Sequence, residues 1–148
     1  MLSEQTSLLF QVATPGLSRH KLRAFAQRLE SAVASGRAFG CLITSGRELR
    51  RLNRDFRQQD HSTDVLSFPV HQQNGFLGEI AISFPAARRQ AAEYGVRVEQ
   101  EIETLMLHGV LHLVGMDHET DRGQMARAER KWRKELGLPA GLIERVRP

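Results

Sequence analysis

A single cysteine in 148 residues leaves no disulfide to form and no set of thiolates for a metal. That residue, Cys41, lies in the apolar run FGCLIT, where a buried and unreactive thiol is expected. Any metal must therefore be held by His, Asp or Glu. The N-terminus has no cationic start followed by an apolar run of roughly 7–15 residues, and no stretch reaches the ~18 apolar residues of a membrane helix. These absences predict a cytoplasmic protein with no membrane partner. No repeat, low-complexity tract or interdomain linker interrupts the chain, so residues 1–148 are expected to form one domain. Lysine is scarce too: of 21 basic residues, 18 are Arg and three are Lys (Lys21, Lys131 and Lys134).

With 41% hydrophobic and 26% charged residues, the composition is that of an ordinary globular domain. The net charge is +4 and the sequence pI is near 10.0. Arginine's planar fork suits phosphate better than lysine's point charge, which leans toward a polyanionic partner. A compositional bias of the source genome would give the same count, so the positions of the arginines have to decide.

Along the chain, SLLFQVAT reads as a short strand, and residues 18–36 read as an amphipathic helix opened by Ser18 and closed at Gly36. AFGCLITS is a second strand. Ser45 with Glu48 three residues later is a capping box, which predicts a helix from Gly46 to Arg57. DVLSFPV, a QQNG turn and FLGEIAIS read as a β-hairpin or two neighbouring strands. Helices follow over 84–95, 96–115 and 119–137, each closed by a glycine, and the tail GLPAGLIERVRP reads as loosely ordered. The expected architecture is a small α+β domain: one mixed sheet of about four strands packed with about five helices.

The stretch HGVLHLVGMDH carries three of the six histidines. His108 and His112 are four apart and share one helix face, so both can offer a ring nitrogen to one ion. Gly115 lets the backbone leave the helix, and His118 can return to the same point. Three ligands leave a fourth tetrahedral position open, the arrangement of a catalytic zinc site. The bland alternative is three unrelated histidines, hydrogen-bonded in the core or at its edge. The spacing matches one class of zinc proteases, yet Gly109 stands where those carry their glutamate base. Asp117 reads as a turn residue or as an orienting partner rather than a ligand, and Met125 as helix packing. His20, His61 and His71 show no ligand spacing.

At 100° per residue, Arg47, Arg50, Arg51 and Arg54 fall on one side of the 46–57 helix, and Leu49, Leu52 and Phe56 on the other, the side expected to enter the core. The default reading of such a stripe is a solvated face. Beside a metal it becomes a candidate nucleic-acid-binding face, because a phosphodiesterase needs cations to hold the phosphate and to stabilise its transition state.

Three blocks carry a close resemblance to the YbeY family of bacterial endoribonucleases and ribosomal RNA maturation factors. ELRRLNRDFR (48–57) resembles the family's helix ending in its functional arginine, which falls on Arg57. STDVLSFP (62–69) and LGEIAIS (77–83) resemble its central strand motifs, and HGVLHLVGMDHE (108–119) its metal signature. Two departures are visible: Ser62 stands where the family usually has proline, and Glu79 where it usually has aspartate. The resemblance implies a zincin-like α+β fold and one zinc ion on His108, His112 and His118. It also implies cleavage of single-stranded RNA, not DNA, in small-subunit rRNA maturation and ribosome quality control, with rRNA and the small subunit as partners. The residues leave other readings open: a metalloprotease from ligand spacing alone, or a non-catalytic assembly factor in which zinc is structural.

Overall fold

The computed structural model describes residues 5–70 and 75–146, so most of the QQNG turn and His71 lie outside the described residues. Four strands, β1 (Ser7–Phe10), β2 (Ala38–Thr44), β3 (Val65–Pro69) and β4 (Phe76–Ser83), form one mixed sheet in the order β1-β2-β4-β3. β1, β2 and β4 are parallel, and β3 runs antiparallel to β4 with Val65 opposite Ile82 and Ser67 opposite Ile80. The strand expected over SLLFQVAT stops at Phe10, ahead of the turn at Pro15 and Gly16.

The helices are α1 (Arg19–Ala32), α2 (Gly46–Arg57), α3 (Phe84–Tyr94), α4 (Val98–Leu113), α5 (Gln124–Leu136) and a single turn, α6 (Leu142–Val146). Their ends follow local chemistry. Ser18, Ser45 and Ser83 each accept a backbone N–H three residues on, and Gly95 and Gly137 close α3 and α5 in the left-handed conformation. The capping box of α2 is only half made, because Glu48 turns its carboxylate to Arg51 instead of the cap.

Alternation along the strands divides the core. Leu8, Cys41, Ile43, Ile80 and Ile82 pack with α1 and α4 in the main cluster, whereas Leu66 and Ala81 meet Leu49 of α2 in a smaller one on the opposite face. Cys41 is buried as expected, and burial together with the charge of Glu79 pushes its thiol far above the usual range. One 12-residue helix is too short to cover that second face, so Phe56, expected in the core, is 64% exposed. Its ring meets Phe68 edge to face at 5.7 Å. Glu79 sits on this α2 side of the sheet, beside Leu42 and Phe68. Ser62 fixes its loop by donating its hydroxyl to the Gly46 carbonyl at 3.3 Å.

The tail is the clearest departure from expectation. Leu138 and Ile143 are buried in the main core, and Arg145 of α6 grips the buried Glu101 of α4 with two nitrogens at 2.7 and 2.6 Å. A bidentate buried pair of this kind costs more than its surroundings can return unless both ends stay in register, so it holds the chain end in one place.

Candidate metal centre

α4 runs beneath β3 and β4 and is apolar on nearly every side, which is why the helix with the first two histidines sits in the middle of the molecule. It ends at Leu113, and Gly115 then adopts φ +103°, a conformation that side chains with a Cβ resist. The chain turns back and His118 joins the other two. Ring centroids lie 4.8 Å apart for His108 and His112, 5.6 Å for His108 and His118, and 5.8 Å for His112 and His118. One ligand nitrogen from each lies within 4.8 Å of the others. Nitrogens sharing a tetrahedral ion at ~2.1 Å would be roughly 3.4 Å apart, a difference within reach of ring rotation. The residues therefore fit a metal ion held by three imidazoles.

His108 is prepared for that role from behind. Its Nδ1 lies 2.9 Å from Oε2 of Glu129, a residue of α5 that is 1% exposed. The contact suits the imidazole tautomer that donates from Nδ1 and leaves the Nε2 lone pair for a metal ion. Burial, and then the neighbouring His108 ring, hold the His112 imidazole below its ordinary pKa, which favours the neutral, ligating form. Asp117 serves the turn: its Oδ1 accepts the Glu119 N–H at 3.0 Å.

The histidines line a cleft of about 510 Å³ together with Arg57, Thr63 and Asp64, residues of β3, and Leu142 of α6. Ser67 of β3 donates its hydroxyl to the Gly109 carbonyl at 3.1 Å, tying the strand to the metal helix. Gly109 itself explains the absent protease glutamate by packing. A Cβ built there would lie 2.9 Å from two side-chain atoms of Ile80, so the position is pressed against the sheet and has room for no side chain.

Arg57 and the three histidines thus share one cleft, and the rest of the basic stripe does not line it. Arg50 is forked onto Asp60 at 2.8 and 3.3 Å, Arg51 lies between Glu48 and Asp55, and Arg54 pairs with Asp55 at 3.2 Å. The Arg50 guanidinium in turn holds Asp60 below the usual carboxylate range. Among the described residues, Arg47 and Arg57 have no carboxylate partner. His61 is a loop anchor, bound through its carbonyl to Asn53 at 3.0 Å and through its ring to Gln59. Met125 is buried in α5 packing, as its place in that helix predicts. Sequence reasoning missed Glu129, Ser67 and Thr63. Glu129 did leave a signal: it is the one carboxylate on the Met125 and Ala126 side of an otherwise polar helix.

Fold and site together define a class: small α+β proteins in which three convergent histidines, able to hold a metal ion, line a polar cleft at the end of a buried helix. The family profile described as Endoribonuclease YbeY matches residues 12–137. Relatives named Endoribonuclease YbeY include that of Solibacter usitatus, 57% identical with 97% of this chain and 96% of its own length aligned. That of Koribacter versatilis is 46% identical over 88% of this chain and 86% of its own. The solution structure of TM1509 from Thermotoga maritima superimposes with a TM-score of 0.61 at 28% identity, covering 88% of this chain and 89% of that one. The chain belongs to the endoribonuclease YbeY family.

Proposed function

We propose that this protein is a zinc-dependent endoribonuclease that cleaves single-stranded RNA and acts in small-subunit rRNA maturation and ribosome quality control. The observation that carries the reading is the shared cleft: three convergent imidazoles and Arg57, which has no carboxylate partner among the described residues, line the same cavity. An all-imidazole set with no thiolate and no carboxylate suits zinc among the common metals. His108, His112 and His118 would hold the ion, which when bound supplies a Lewis acid to offset charge on a phosphate.

The chain's own residues do the rest. Arg57 binds the scissile phosphate with its fork and stabilises the negative charge that grows there. Glu129 keeps His108 in one tautomer and orientation. The Thr63 and Ser67 hydroxyls, with the walls of β3, position the strand in the cleft. The nucleophile is a water or the ribose 2′-hydroxyl. A protease mechanism has no side chain to take the proton at Gly109, which is packed against Ile80. Arg47, Arg50, Arg51 and Arg54 form an outer RNA-binding face, with three of the four already neutralised in part by their own carboxylates.

A substrate panel tests the proposal. Single-stranded RNA should be cleaved, duplex RNA and single-stranded DNA spared, and cleavage lost on chelation and restored by zinc. Equal cleavage of DNA, or full activity in the metal-free protein, would overturn it.

A further inference from the structure

Glu129 divides its two oxygens between the metal site and the chain end. Oε2 faces His108 Nδ1 at 2.9 Å as an acceptor, and Oε1 accepts the backbone N–H of Ile143 at 2.9 Å. Neither contact has slack. The carboxylate is buried, and a Cβ at Gly141 would meet Oε1 at 2.2 Å, so the segment leading into α6 lies directly on it. Beyond it, Arg145 secures α6 to α4 through Glu101 and stacks its guanidinium 4.2 Å from the Tyr94 ring centroid. Leu142, next to Ile143, lines the cleft.

We propose that the C-terminal segment 138–146 is a working part of the metal site, with Glu129 as the positioning residue through which tail docking and metal affinity are coupled. This rests on the metal-binding reading above. A docked tail keeps the Glu129 carboxylate where His108 needs it. A released tail exposes that carboxylate to water and leaves the imidazole free to rotate, so the ion is held less tightly. Coupling of two binding events is reciprocal, so the ion must also hold the tail down by the same factor.

The test uses the full chain, with zinc affinity read by competition against a chromogenic chelator and tail docking read by limited proteolysis near residues 138–146. Gly141→Ala pushes on the carboxylate without touching a ligand, and Glu129→Gln cannot accept from His108 and Ile143 at once. Each should weaken zinc binding about 10- to 100-fold. Zinc should also slow cleavage of the tail in the wild type, and by a smaller factor in both variants. Far-UV circular dichroism of the metal-free proteins checks that both variants fold, and Glu129→Asp serves as a third probe if one does not.

The outcomes separate the two readings. Failure of the wild type to bind one zinc ion per chain would sink the metal site itself. Wild-type binding with unchanged affinity in the folded variants, or tail proteolysis indifferent to zinc, would overturn the coupling alone.

Discussion

At the scale of single residues, Gly109 shows how the absence of a side chain can arise from packing. Because its missing Cβ would press on Ile80, Gly109→Ala should lower stability by about 1–3 kcal/mol, measured by denaturant unfolding. A mutant as stable as the wild type would mean that α4 and β4 have more room than their contact implies. Glu103 on α4 gives a second test. Burial, and then the charge of Glu99, push its carboxyl up to about 7. The folded state therefore keeps the proton after the unfolded chain has lost it, and stability falls as pH rises from about 4.5 to 7. Glu103→Gln should raise the melting temperature at pH 8 and leave it nearly unchanged at pH 4. The gain should be about 1 kcal/mol once solvent screening of this half-buried group is allowed for. An equal effect at both pH values would rule out the protonation account.

Among the elements, α2 divides its arginines between two settings. Arg50, Arg51 and Arg54 are engaged by Asp60, Glu48 and Asp55, whereas Arg57 lines the cleft with no carboxylate partner among the described residues. Reversing Arg50 and Arg54 to Glu should weaken RNA binding at low salt and flatten its salt dependence without abolishing cleavage by bound RNA's own encounter with Arg57. Unaltered affinity would return those residues to a plain solvated face. The boundaries of α2 were legible because Ser45 and the run to Arg57 are local signals, and the closeness of His108 and His112 on α4 was legible because spacing within a helix is local as well. Phe56 was misplaced because helical periodicity says which side a residue is on and nothing of how far the neighbouring sheet extends. A role for Arg57 is implied only by the resemblance to a family.

For the whole molecule, what the sequence hid is what tertiary packing decides. Glu129 is 21 residues from His108, Ser67 is 42 from Gly109, and Arg145 is 44 from Glu101, and no local pattern joins such pairs. The tail looked unstructured because its Gly and Pro content outweighs a five-residue helix, yet that turn is held by a buried ion pair and two buried apolar side chains. The assembled molecule lines a single cleft with three histidines and Arg57, and the proposed function has both act on the same phosphodiester. The most direct measurement is single-turnover cleavage of a single-stranded RNA by the wild type, His112→Ala and Arg57→Glu, with folding of each protein verified. The account predicts that each substitution slows cleavage by about 10²-fold or more, as expected on removing electrostatic stabilisation from a transition state. Cleavage at the wild-type rate by either folded variant would contradict it.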